Sequence, residues 1–435
     1  MLVSSLKTRT KLLLIIVLVI VIVTASLVIL LENAPSIVWQ SNLEHFATDF
    51  TVDNGKIFVC DGWGNVRCFD AQSGVSLWNT TVGSYVAAGP TIIVYESKVY
   101  VGSRGSIVNK LDEDTGKIEL TFQAPVSTSY AQKSPPQFFV ADGKVFTSEI
   151  GLAVYDANTG DLIWESSFNG ITLGNATGVA SESSYVFVQG TARINPNNGT
   201  TLWSVTGAAS DPAVIAQGRV ILWNYNSAGS SDEGHTLLCL NASAGDELWH
   251  FNVGARMFQP IVSDNLILFG ADNGLVYVVN LSNGTLKWKT WVDDQLLIDT
   301  YNGYTEEQKS LIHLAGSLVH VGPQNNRVFW SVIVSNNGQD VYNGTVWALD
   351  LSTGDSIWTL PVTNNALIYT EPGNFVSMTL LKGTMYVTEH SDMYFIDENT
   401  GDVKLRQNFE HYVLPAVVAN DKVFVAADLY LRAYG

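Results

Sequence analysis

Residues 155–164 read YDANTGDLIW, and the order of residue types in those ten positions decides the fold. Tyr155 ends an apolar stretch, Asp156 is of a type whose side chain bonds its own downstream amides, and Gly160 accepts a positive φ that other residues resist. Leu162, Ile163 and Trp164 then resume an extended run. The segment is a hairpin turn between two strands. It recurs as FDAQSGVSLW (69–78), LDEDTGKIEL (111–120), INPNNGTTLW (194–203), LNASAGDELW (240–249), VNLSNGTLKW (279–288), LDLSTGDSIW (349–358) and IDENTGDVKL (396–405). Its glycines, at 74, 116, 160, 199, 245, 284, 354 and 401, stand 39 to 47 residues apart except for one gap of 70, a period that marks an array of repeated units.

Working outward from the turn, each unit carries two further strands before it, as in VADGKVFTSEIGLAVYDANTG (140–160), which makes four short antiparallel strands per unit. Radial repetition of four-stranded sheets predicts an all-β propeller. Trp78, Trp164, Trp203, Trp249, Trp288 and Trp358, four positions after the turn glycine, and Trp39 in SIVWQ (36–40), are expected to dock each blade on its neighbour. After Gly401 the chain supplies three strands, near 414–418, 422–427 and 429–434, so residues 36–40 are expected to complete the last blade and cover its edge. Counting the units gives eight or nine blades.

The pattern hydrophobic–(Asp/Asn)–x–x–x–Gly–x–x–x–Trp, over residues 36–435, resembles the pyrroloquinoline-quinone (PQQ) type of propeller repeat. That family includes quinoprotein dehydrogenases and the propeller lipoprotein of the bacterial outer-membrane barrel-assembly machinery, and the resemblance to the latter is the greater. The resemblance implies the fold and leaves the chemistry open. The dehydrogenases carry an adjacent cysteine pair on the quinone and often a C-x-x-C-H haem site, and neither occurs here. HExxH, G-x-S-x-G and phosphate-loop motifs are also absent. No catalytic, cofactor-binding or metal-binding residue is therefore assigned and no cofactor is expected, PQQ with calcium being the alternative. The acidic turns 112–117 and 397–402 read as turn formers rather than calcium loops, since the turn 241–245 repeats them with neutral side chains.

The 435 residues carry a net charge of −18, which argues against nucleic acid as a partner. Three cysteines exclude a disulfide-stapled scaffold; Cys60 and Cys68, offset across one hairpin, and Cys239 read as buried thiols. Residues 12–31, LLLIIVLVIVIVTASLVILL, contain no charge and are long enough for a transmembrane helix. Lys7, Arg9 and Lys11 precede them, which places residues 1–11 in the cytoplasm and the propeller, 32–435, outside, behind an uncleaved signal anchor. The acceptor tripeptides at Asn79, Asn175, Asn198, Asn241, Asn280, Asn283 and Asn343 are candidate N-glycosylation sites.

Strand order puts the signature turns on one face of the ring and the irregular loops on the other. The irregular face is the candidate surface for a ligand or partner, with Trp63, Tyr85, Arg104, Tyr130, Arg256, Tyr369, Glu389, His390 and Tyr412, accompanied by Glu149, Asp272, Glu371 and His411. Residues 293–343 form the one large insertion, in which Thr305 and Gln308 make a capping box ahead of Leu311, Ile312 and Leu314; a short helix is expected there, on an inter-blade connection. The sequence points to a non-catalytic, membrane-anchored scaffold that binds protein or surface glycan. The alternatives are an enzyme with its site at the channel mouth and a structural component of a cell envelope.

Overall fold

The structure is a computed structural model. It describes residues 35–83, 92–103, 105–124, 136–148, 152–166, 186–188, 192–205, 208–209, 213–226, 235–271, 275–291, 312–321, 326–336, 339–364, 377–389 and 391–435. The segments 1–11 and 12–31 lie outside these residues, and among those described no helix is long and apolar enough to cross a membrane.

The described residues are all strand, turn and connection, arranged as nine separate antiparallel sheets, seven of them simple four-stranded ladders. In chain order the sheets span 47–81, 92–123, 137–166, 186–204, 208–252, 261–291, 312–364 and 377–408. The ninth combines 417–434 with Ile37–Asn42, from the other end of the chain. Edge strands of successive sheets touch from the fifth sheet, through Val214–Ala216, to the ninth, across to the first, and on to the third. This is the propeller ring.

One unit shows why the repeat folds as it does. Asp70 Oδ1 accepts the Ser73 amide at 2.7 Å, the Gly74 amide donates to Asp70 O at 2.8 Å, and Gly74 takes φ +72°. Glycine is needed there for a second reason: a methyl group on Gly74 would lie 2.5 Å from Cε3 of Trp39. The Trp39 indole rests on the turn of the next sheet and donates from Nε1 to Ala71 O at 3.3 Å. The same interlock recurs with Trp78 on Glu113 O and Gly116, Trp164 on Pro196 O and Gly199, and Trp203 on Ala242 O and Gly245. Trp249 on Leu281 O and Gly284, Trp288 on Leu351 O and Gly354, and Trp358 on Glu398 O and Gly401 continue it, while Leu120 alone packs on Gly160. Each indole thus fills an apolar interface and satisfies its N–H on the turn whose glycine makes room for it.

Closure follows the sequence reading, with a shift of the strand's bounds. The closing strand is Ile37–Asn42 rather than 36–40, and it pairs Gln40 with Arg432 and Asn42 with Tyr430. The insertion departs from expectation. Ile312–Val321 is a ten-residue strand laddered to Arg327–Asn336, so no helix runs through Ile312 and Leu314; Thr305, Gln308 and Leu311 lie outside the described residues. Ile312 and Leu314 stand two apart, which is the strand period. Part of the insertion therefore lengthens the strands of the seventh sheet instead of decorating a connection.

The three cysteines are free and buried. Cys60 pairs with Val66, and Cys68 with Phe58, so the two thiols are not opposed. Burial pushes Cys68 up to about 12 and Cys239 up to about 11.

Candidate functional site

The irregular face carries its best-defined arrangement where the ninth sheet meets the first. Three segments converge there: residues 43–46, which lead from the closing strand into the first sheet; the turn 61–65 of the first sheet; and residues 409–416, which lead into the ninth. The turn is fixed by Asp61, whose carboxylate accepts the amides of Trp63 and Asn65, each at 2.9 Å, and the Asn65 side-chain amide at 2.9 Å. Trp63 is thereby held out, 59% exposed, with its ring centroid 5.7 Å from that of His45.

On the other side of residues 45–46, Phe46 lies tilted against His411, with ring centroids 4.6 Å apart, and stands 6.4 Å from Tyr412. The Tyr412 hydroxyl donates to Ala47 O at 2.7 Å, tying the connection to the first sheet, and the His411 amide donates to Asp428 Oδ1 at 2.9 Å. Phe46 and Tyr412 are 37% and 38% exposed. Five rings thus share one surface on a backbone held by strand ends and capped turns, an apolar exposure of the kind that marks an interaction site.

Among the described residues of these segments, the basic side chains are turned inward. Arg67 and Arg432 are the only Lys or Arg side chains in 43–46, 61–67, 409–416 and 428–432, and both are buried. Arg67 Nη2 bonds Glu44 Oε2 at 2.5 Å; Arg432 Nε donates to Gln40 Oε1 at 2.8 Å and Nη1 to Ala427 O at 3.1 Å. Glu44 and Glu410 are exposed beside the rings.

The predicted site residues are only partly gathered here. Trp63, His411 and Tyr412 belong to the platform. Arg256 is exposed on the connection between the fifth and sixth sheets, away from these segments. Glu389 is not presented to solvent: it is 4% exposed, at the end of strand Thr384–Glu389. Burial, and after it the charge of Asp392, push Glu389 up to about 7, while Arg406 pulls the other way and holds Asp392 through bonds of 3.1 and 2.9 Å. Tyr85, Arg104, Tyr130, Glu149, Asp272, Tyr369, Glu371 and His390 lie outside the described residues. Glu44, His45 and Phe46 were not expected. Their signal was the run LEHF at 43–46, which places aromatic side chains on a connection one residue from a strand.

Of the acceptor asparagines, Asn79, Asn198 and Asn283 are exposed, and Asn241 and Asn280 are half-buried with side chains bonded inside their turns. Asn343 lies on strand Gln339–Asp350, and Asn175 falls outside the described residues. Among the described residues no three His, Cys, Asp or Glu side chains gather to hold a metal ion. The Asp397 carboxylate accepts the amides of Asn399 and Thr400 in its own turn, as a turn former does. The thiols fit a quinone no better, since each is buried within a sheet and none is adjacent to another.

With this geometry in place, the comparison with known proteins is decisive at the level of family. A family profile described as outer membrane protein assembly factor BamB matches residues 25–192 and 188–342. The chain belongs to this BamB-like family of PQQ-type propellers. A BamB of Moranella endobia is 23% identical over 372 residues, 81% of this chain and 77% of that protein. The dehydrogenase subunit of a quinone alcohol dehydrogenase from Gluconobacter oxydans is 24% identical over 234 residues, and the chain spans only 31% of its length. Among solved structures, BamB from Moraxella catarrhalis superposes with a TM-score of 0.50 at 15% identity, covering 92% of this chain and 99% of that one. A quinohemoprotein alcohol dehydrogenase from Pseudomonas putida gives 0.55 at 14%, covering 92% and 76%. The structural likenesses establish the BamB-like fold and are silent on what binds to it.

Proposed function

We propose that this chain is a non-catalytic propeller of nine blades that holds a protein partner on its irregular face, at the platform of Trp63, His45, Phe46, His411 and Tyr412. The observation that carries this reading is the pre-organisation of exposed aromatic rings by capped turns, which binds without a large ordering cost. The family supports it, since its BamB members are named as assembly factors. Residues 12–31 anchor the propeller to a membrane with residues 1–11 in the cytoplasm. The closing strand begins at Ile37 on the signature-turn side, so a tether of a few residues turns that side toward the bilayer and the platform outward.

The test is a photo-crosslinking side chain at position 63, and in a separate variant at position 161 in a signature turn, in the native host. Adducts of defined mass from position 63 and none from 161 are expected. Adducts from 161 alone would reassign the binding face.

A further inference from the structure

We propose that the rim of the ring at the boundary of the eighth and ninth sheets rests on the lipid surface, with Ile37, Val38 and Leu405 seated in the phospholipid headgroup layer, so that the ring stands tilted with this boundary lowest. This rests on the reading of residues 12–31 as a membrane anchor, and adds the part of the propeller that meets the bilayer.

The register of the ninth sheet sets this boundary apart. In the first sheet the Asp70 amide donates to Val75 O at 2.9 Å, Ser76 pairs with Phe69, and Gly74 closes the turn between them. In the ninth the Gly435 amide donates to Ser36 O at 3.2 Å and Ile37 pairs with Tyr434. The two registers coincide, so Pro35, arriving from the other end of the chain, holds the position of the turn glycine. Leu405, four residues after Gly401, has the place of a docking tryptophan; its equivalent Leu120 is half-buried against Gly160, whereas Leu405 is exposed. Ile37 and Val38 are 45% and 51% exposed, and Val38 Cγ2 lies 3.0 Å from where a Cβ would stand at 435. Lys404, beside Leu405, is held by Asp397 at 3.0 Å, so its charge is met within its own sheet. Exposed aliphatic side chains recur on other outer strands, as at Leu77 and Leu202, but those strands lead out of closed turns with exposed polar tips, Gln72–Ser73 and Asn197–Asn198.

The chain that leads into Ile37 identifies what covers these side chains. Residues 12–31 are 20 positions without a charge, and Glu32, Asn33 and Ala34 alone stand between Leu31 and Pro35. Four residue steps span at most about 14 Å, and the headgroup layer of one leaflet occupies about 5 to 8 Å of that. Any bend in the three residues brings Ile37 and Val38 down to the lipid. A gap this shallow does not admit a folded domain, whose radius of gyration is about 13 Å at 100 residues. A phospholipid layer fits it, because aliphatic side chains leave water at the acyl boundary while polar neighbours stay among the headgroups. The eighth sheet's own turn presents Asn399 and Thr400, both exposed and uncharged, for that layer.

The test uses the full-length protein in phosphatidylcholine vesicles, with an environment-sensitive nitrobenzoxadiazole label on Val38→Cys, on Leu405→Cys or, on the fourth of the nine sheets and so halfway round the ring, on Leu202→Cys. The three native thiols are buried, and the parent treated with the label is the blank. The labels at 38 and 405 are expected to shift their emission to the blue on reconstitution and to lose intensity to lipids that carry a nitroxide near the headgroup, while the label at 202 does neither. Circular dichroism melts matching the parent's show that each labelled ring is closed. Equal quenching at all three positions would show a ring lying flat, and vesicle-bound protein unquenched at 38 and 405 would show a ring held clear of the lipid; either overturns the proposal and keeps the anchor. A blue shift at 405 without quenching would assign the cover to the chain's own residues 32–34, and overturns it too. Protein that does not float with the vesicles would remove the anchor reading instead.

Discussion

The interlock between a tryptophan and its neighbour's turn makes a quantitative prediction. Gly284 has φ +69°, and a Cβ built there lies 2.5 Å from Cε3 and 2.6 Å from Cδ2 of Trp249. Gly143 has nearly the same φ, +68°, but nothing within 4 Å of its Cβ position. Gly143→Ala therefore isolates the cost of a left-handed alanine, about 1–2 kcal/mol. Gly284→Ala adds overpacking of about 1–3 kcal/mol against an indole that cannot retreat, since Trp249 is 8% exposed and bonded to Leu281 O at 3.0 Å. Trp249→Ala alone should cost about 3–5 kcal/mol. In the double variant the new methyl enters the space left by the indole, so only the left-handed strain remains, and the two effects should fall short of additivity by about 1–3 kcal/mol. Urea unfolding followed by circular dichroism, on the four proteins and on Gly143→Ala, measures every term. Additivity within about 0.5 kcal/mol would refute the packing argument. Equal costs at Gly143 and Gly284 would reduce the glycine to a turn requirement.

Two further outcomes concern closure and pH. Deleting 37–42 leaves Tyr430–Tyr434 as an open edge and removes the Trp39, Ser41 and Gln40 bonds, so a lower melting temperature with aggregation is expected; an unchanged melt would show that closure contributes nothing. Glu389 rises from an ordinary 4.5 to about 7, so the folded chain binds the extra proton and this group's contribution to stability falls as pH rises between those values, leveling above about 7. The difference is worth about 3 kcal/mol. Glu389→Gln should therefore stabilise the protein relative to the parent at pH 8 and much less at pH 4.5 in urea titrations, and an equal effect at both would remove burial of the charge as the cause.

The sequence made the turn and the interlock legible because both fall at fixed spacing from one glycine, and the closure legible because Trp39 stands on a short run with no strand partners nearby in the chain. Trp39 was readable as the tryptophan of a missing strand even though its cross-strand partner, Ala433, stands nearly 400 positions away in the chain. The strand at 312–321 was misread because a capping box is a local signal, whereas the ladder to Arg327–Asn336 is a tertiary one. Burial of Glu389 was not legible, since a glutamate at a strand end beside a turn is ordinarily solvated.

The platform was half legible for a reason that bears on where function sits in such a fold. A repeat reports on itself, so it specifies the interfaces that every unit shares. At the boundary between the eighth and ninth sheets no such interlock is seen among the described residues: Leu405 is 37% exposed, and the edge of the ninth sheet is tied by the Gly435 amide donating to Ser36 O at 3.2 Å. Aromatic contacts replace it, with Phe395 5.2 Å from Tyr434 and the Tyr434 hydroxyl on Gln407 at 2.6 Å. The segments flanking this closing sheet, 43–46 and 409–416, are correspondingly free of the repeat's pattern, and their contact joins residues 365 apart in the chain. A surface assembled from both ends of the chain exists only when the ring is closed. A partner that binds there binds the closed propeller in preference to any open form, and so contributes to holding it shut.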